Sequence, residues 1–236
     1  MRTVGILGGM GPMATADLFI KIIQNTPARS DQEHIPIIIY NNPQIPSRID
    51  AILQHAESPR SELIRSAVFL EQAGADFIAM PCNTAHYWYN DIQQAINIPL
   101  INMIDLTVDY IADKYPHAAV SPIMLLATAA TVKVGLYQQR FAARGMEILV
   151  PTAQEQQIIS QAIDAVKAGT INENPYLDAL RQFMTDYSQN GVIAFIAGCT
   201  EIPLLFAHIA GNFDKIDPTL LLAQEVVRRA LSSEHA

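Results

Sequence analysis

Short apolar runs alternate with amphipathic stretches along this chain, and the alternation occurs twice. In the first half the runs are "TVGILGG" (3–9), "IPIIIYNN" (35–42), "DFIAMPC" (76–82) and "IPLINMI" (98–104). Each is rich in Ile, Val or Phe and short enough for a strand. None alternates apolar with polar residues, so the strands are expected to be buried on both faces, as in a parallel sheet covered by helices. The intervening stretches 12–25, 58–73 and 84–96 read as helices. Pro12 suits a first helical turn, Ser58-Pro59 gives a cap followed by proline, and Gly74 suits a C-terminal cap after "VFLEQA".

The second half repeats the plan with "SPIMLLATAAT" (121–131), "MEILVP" (146–151), "GVIAFIAGCT" (191–200) and "KIDP" (215–218) in the strand places. Helices are expected at 131–143, 154–168, 175–188 and 219–232. The two cysteines mark equivalent points of the two halves. Cys82 follows the glycine loop at Gly9 by 73 positions, and Cys199 follows Thr128 by 71. The expected fold is therefore α/β: two similar lobes, each a parallel sheet flanked by helices, related by pseudo-two-fold symmetry with the active site between them. The lobes are expected at 1–100 plus 217–236 and at 101–216, the last helix crossing back to the first lobe.

Composition narrows the partners. Half of the 236 residues are apolar, 16% are charged and the formal net charge is −8. That balance suits a compact chain and argues against a nucleic-acid partner, which calls for a clustered basic face. No apolar run reaches membrane-spanning length, and "MRTVGILGGMGP" lacks the apolar core of a signal peptide. A cytoplasmic location is expected. In a reducing compartment two cysteines are not expected to pair as a structural disulfide, and two are too few for a metal cage.

In doubly wound sheets ligands sit beyond the carboxyl ends of the strands, and each cysteine falls at such an end. Facing lobes would bring the two to opposite walls of one cleft. Inverting an amino-acid α-carbon requires a base on one face and an acid on the other, and a thiolate with a thiol supplies that pair. A free thiol titrates near 8.5, within reach of neutral pH once nearby N–H donors or a helix N-terminus favour the thiolate. Both cysteines are expected to begin a helix.

The stretches "GILGGMGP" (5–12), "NNPQIPSR" (41–48), "GADFIAMPCNTAH" (74–86), "LLATAATVKVGLY" (125–137), "VKAG" (166–169), "AGCTEIP" (197–203) and "IDP" (216–218) occur in an order that resembles the aspartate/glutamate racemase family. This family works without pyridoxal phosphate. Glu201, two places after the second cysteine, matches its aspartate racemase branch, where glutamate racemases usually carry histidine. The resemblance implies an isomerase with no cofactor and no metal, acting on an amino acid, with aspartate the first substrate to try and glutamate or others beside it. It implies that Cys82 and Cys199 are the acid/base pair and that Asn83 and Thr84 bind the α-carboxylate. Thr128, Thr131 and Thr200 would line the cleft, Arg48 and Lys167 would hold substrate carboxylates, Met10 would border the substrate, and Glu201 would orient or polarise Cys199. A homodimer is implied by the same analogy. Two positions depart from the family pattern: Ser47 stands where relatives often carry Asp, and "TAAT" lacks the commoner inner Thr-Gly pair.

Plainer readings stand beside these. A lone cysteine after an apolar strand is most often a small buried hydrophobe. Cys82 and His86 have helical spacing for a metal pair but lack a second close pair. "GILGGMGP" suggests a dinucleotide loop, yet Ala14 stands in the place of the third glycine, so the loop is expected to need positive φ and close backbone approach instead. Lys167 near a helix C-terminus and Glu201 in a first turn are both favoured by the helix dipole alone. Competing functions are a hydantoin racemase, a maleate isomerase, an arylmalonate decarboxylase, or a non-catalytic amino-acid binding protein.

Overall fold

A computed structural model describes residues 1–115 and 122–232. Ser121, the first residue of the 121–131 run, and the end of the 217–236 segment lie outside the described residues. The chain forms two compact units, Met1–Met103 with the residues from Thr219 onward, and Ile104–Pro218.

Unit 1 contains β1 (Val4–Gly8), α1 (Pro12–Asn25), β2 (Ile37–Asn41), α2 (Arg48–Leu53), α3 (Arg60–Gln72), β3 (Phe77–Ala79) and α4 (Tyr89–Gln93). Its three strands are parallel in the order β2-β1-β3, with Val4 level with Ile37 on one side and Phe77 on the other. β1 is the central strand, and all five of its residues are buried. This explains its unbroken apolar sequence. Gly74 ends α3 at φ +96°, with Ala75 N–H reaching back to the Leu70 carbonyl, the left-handed cap that only glycine adopts without strain.

Unit 2 contains α5 (Met103–Lys114, from Ile104 on), β4 (Ile123–Ala127), α6 (Ala129–Lys133), α7 (Leu136–Ala143), α8 (Ala153–Lys167), α9 (Leu177–Gln189), β5 (Ala194–Gly198), α10 (Ile202–Phe206) and β6 (Asp214–Ile216). Its sheet is parallel in the order β4-β5-β6. The final helix, α11 (Pro218–Leu231), belongs from Thr219 on to unit 1, where the Arg2 N–H donates to the Ala230 carbonyl.

Several expected elements are shorter than their apolar runs. The 98–104 strand reduces to a single bridge, Leu100 beside Ile78, because Pro99 has no N–H to donate and α5 begins at Met103. The 146–151 strand reduces likewise to Leu149 beside Met124, between a turn at Gly145 and Pro151. The 131–143 helix begins earlier and is split into α6 and α7 by Gly135 at φ +68°. The 84–96 helix is a 3-10 turn, Thr84–Trp88, followed by the five residues of α4. One bridge supplies the fourth position beyond β3 in unit 1 and the other the second position beyond β4 in unit 2, giving both units the order second-first-third-fourth. The repeat inferred from sequence spacing is thus present as repeated topology.

Candidate functional site

The strand order decides where each unit can hold a ligand. From β1 the chain moves to one neighbour, β2, and then to the other, β3. The carboxyl ends of β1 and β3 therefore flank a topological switch point, where the connecting loops leave in opposite directions and open a crevice. Gly9 and Met10 follow β1; Met80, Pro81 and Cys82 follow β3. In unit 2 the equivalent ends belong to β4, followed by Thr128, and β5, followed by Cys199.

In unit 1 the first loop is held by close approach. Gly9 sits at φ +95°, and a Cβ there would lie 2.3 Å from the Asn42 carbonyl. The Gly9 N–H donates to the Thr15 hydroxyl at 2.9 Å, and that hydroxyl donates to the Gly11 carbonyl at 3.1 Å. The glycine run thus serves close backbone packing, in line with the expectation against a dinucleotide loop. Met10 and Cys82 are buried in one apolar cluster, and Asn83 and Thr84 directly after the cysteine are buried as well. His86 secures this turn. The Met103 N–H donates to its Nε2 at 3.1 Å, so the ring hydrogen sits on Nδ1, which donates to the Cys82 carbonyl at 2.8 Å. Both ring nitrogens are engaged with the backbone, which leaves no lone pair for a metal.

Arg48 opens α2, with Ser47 as its cap: the Ser47 hydroxyl accepts from the Asp50 N–H. Serine caps a helix about as well as aspartate, so the departure at Ser47 preserves the local structure. The Arg48 guanidinium is folded onto its own loop, Nη1 donating to the Ile45 and Pro46 carbonyls at 2.9 and 2.8 Å. Three further N–H donors on Nε and Nη2 remain for a ligand.

Unit 2 surrounds its sulfur with charge. Cys199 and Glu201 are both buried, and the thiol donates to the Glu201 carboxylate with Sγ 2.9 Å from Oε2. The Thr200 hydroxyl donates to the same oxygen at 3.3 Å. Burial pushes the Cys199 thiol well above its ordinary value, and the adjacent Glu201 carboxylate pushes it further. Lys167, at the C-terminal end of α8, pulls the other way. Its ammonium also lies 3.5 Å from Asp164 one turn earlier. Thr128 caps α6, its hydroxyl accepting from the Thr131 N–H and lying 3.0 Å from the Thr131 hydroxyl, both side chains buried.

The helices after the cysteines are shorter than the sequence suggested. α10 has five residues, and Cys82 leads into a 3-10 turn. So short a helix has little macrodipole, and local N–H donors and Lys167 are the remaining means of favouring a thiolate. Sequence reasoning also missed Tyr137. This phenol is fully buried, hydrogen-bonded with Thr107, and is pushed above its ordinary value mainly by burial, with the negative charges of Asp217 and Cys199 adding to the shift. Only its place in "LLATAATVKVGLY" marked it in the sequence.

Comparison with known proteins agrees with this architecture. The family model described as Asp/Glu/Hydantoin racemase matches residues 7–226. The broad specificity amino-acid racemase RacX of Bacillus subtilis is 32% identical over 97% of this chain and 98% of its own. The aspartate racemase of Picrophilus torridus superposes with a TM-score of 0.84 at 32% identity, covering 98% of this chain and 94% of its own. The glutamate racemase of Francisella tularensis, at 18% identity and a TM-score of 0.71 over 99% and 84% of the two chains, shares the fold.

Proposed function

Because the chain belongs to the Asp/Glu/Hydantoin racemase family, we propose that it is a cofactor-independent amino-acid racemase, an isomerase that interconverts L- and D-aspartate through Cys82 and Cys199. The observation that carries the assignment of roles is the buried Cys199 thiol directed at Glu201. A thiol held neutral by burial and a neighbouring carboxylate is suited to be the resting acid. Cys82 is then the resting base. Its thiolate takes the α-hydrogen: the Cα–H bond breaks and an S–H bond forms on Cys82. Cys199 gives up its hydrogen to the opposite face, so its S–H bond breaks as the new Cα–H bond forms. The enzyme is left with a Cys82 thiol and a Cys199 thiolate, the state that runs the reaction backwards.

Asn83 and Thr84 hold the α-carboxylate, and their N–H and O–H donors stabilise the charge that develops on it during proton transfer. Thr128, Thr131 and Thr200 line the substrate site near Cys199, and Met10 borders the substrate near Cys82. Arg48 and Lys167 each offer a cation to a carboxylate, which suits a dicarboxylic substrate. The 32% identity to the Picrophilus aspartate racemase supports aspartate. The equal identity to RacX supports a second reading, a broader range of amino acids. A mechanism through two reduced thiols suits a reducing compartment such as the cytoplasm. The working form is a homodimer.

The test is L-aspartate in deuterium oxide with purified enzyme, following α-proton loss by NMR and optical rotation by circular dichroism, with glutamate and a panel of neutral amino acids alongside. Exchange and inversion of aspartate support the first reading, and comparable rates across the panel support the second. Retention of the α-hydrogen in every case contradicts both.

A further inference from the structure

The outer face of α1 lacks the usual character of a solvent-facing helix surface. A helix on a protein surface normally carries its polar residues outward. Here Met13, Phe19, Ile20 and Ile23 are 36–50% exposed. Gln24 is the only polar side chain among the exposed positions of the helix. The face continues onto the sheet. β2 is an edge strand, and Ile37 and Ile39, two residues apart, point to the same side. Ile37 lines a concavity of about 470 Å³ with Phe19, Ile22 and Ile23, and Ile39 is 40% exposed.

We propose that a second copy of this chain docks on this face, two α1 helices packing antiparallel about a two-fold axis near residue 18. This rests on the homodimer reading above and adds the location of its interface. Charge favours a second copy as the occupant. At a net charge of −8, two chains repel over most of their surface. α1 adds no net charge to that repulsion: its only charged residues, Asp17 and Lys21, are joined at 2.5 Å. A two-fold axis near the middle of the helix brings Asp17 towards Lys21 of the partner subunit, and the reverse, as an isologous contact requires. The same rotation sets Ala16 opposite Ile20 of the partner subunit and Met13 opposite Ile23 of the partner subunit, so a small side chain meets a large one twice.

The area is also adequate. With a large apolar side chain taken as about 150–200 Å², the exposed parts of Met13, Phe19, Ile20, Ile23 and Ile39 amount to roughly 300–400 Å². That is about half of the ~800 Å² each partner contributes to a standard interface, close to the usual apolar share. A membrane surface is a poorer occupant, because an interfacial helix carries several basic residues on its polar side and α1 has one.

Sedimentation velocity on the full chain tests this, comparing wild type with Ile20→Glu, whose exposed position leaves the core intact. The wild type is expected to be a dimer at micromolar concentration. Ile20→Glu should raise the dissociation constant about 100-fold while keeping its circular dichroism spectrum. Lys21→Glu should also weaken the dimer, and the exchange Asp17→Lys with Lys21→Asp should restore it, a readout that stands even if Ile20→Glu fails to fold. A monomeric wild type overturns both the interface and the homodimer reading without touching the racemase assignment. A dimer as tight in all these variants as in wild type overturns the interface alone.

Discussion

The two cysteine sites occupy the same place in the same topology and differ in the contacts around them. Around Cys82 stand the Met80 carbonyl that its N–H bonds at 2.9 Å, buried Met10, and a His86 ring whose nitrogens are committed to main chain. Cys199 lies between a carboxylate that raises it and an ammonium that lowers it. The loops preceding them differ in kind as well. Gly9 follows β1 where no Cβ fits, whereas Thr128 follows β4 and uses its side chain to cap α6. Repetition of the unit sets where the two sulfurs stand, and the side chains local to Cys199 set the balance of charge around its thiol.

The largest test of this comparison is to remove each sulfur. Cys82→Ala and Cys199→Ala should each lower racemisation of aspartate by about 10³-fold or more, because either loss removes the proton partner of one face. Polarimetric rates would check it, and retention of racemisation in either variant contradicts the shared roles. Next, Gly9→Ala should cost about 2–4 kcal/mol by chemical denaturation, since the new methyl meets the Asn42 backbone in a left-handed conformation. A change under about 0.5 kcal/mol would mean that the close approach is relaxed in solution.

Glu201→Gln sharpens the electrostatic contrast. The carboxylate raises the Cys199 thiol, so removing its charge should let Cys199 ionise at lower pH. Alkylation of Cys199 by iodoacetamide, read by mass spectrometry across a pH series, should set in about one pH unit earlier, roughly tenfold faster at fixed alkaline pH. Lys167→Met should move it the other way, because its ammonium favours the thiolate. The smallest effect belongs to Thr128→Ala, about 1 kcal/mol of stability from a lost helix cap, against the larger loss at the equivalent Gly9.

The fold class was legible because burial on both faces writes itself as unbroken apolar runs, as at Val4–Gly8 and Ala194–Gly198. Where two signals overlap the reading failed. "IPLINMI" joins a one-residue bridge at Leu100 to the start of α5, and from apolarity alone it read as one strand. α2 is six residues with no buried position, too short and exposed to show a periodic pattern. Gly135 breaks what looked like one helix because its positive φ depends on the surrounding turn. For the candidate site, sequence marked the residues at strand ends but not their contacts. The Cys199–Glu201 bond is local and was open to inference from a two-residue spacing. The Gly9–Asn42 approach, the His86–Met103 bond and the Tyr137–Thr107 contact join residues far apart in sequence, and only folded coordinates bring them together.

The central claim is that the two sulfurs serve opposite faces of one carbon, Cys199 resting as the acid. Deuterium wash-in at the α-carbon from each aspartate enantiomer, measured separately on Cys82→Ala and Cys199→Ala, tests it directly. The account predicts exchange without inversion, from one enantiomer in the first variant and from the other in the second, faster where Cys82 is retained. Exchange of the same enantiomer by both variants, or inversion by either, would contradict it.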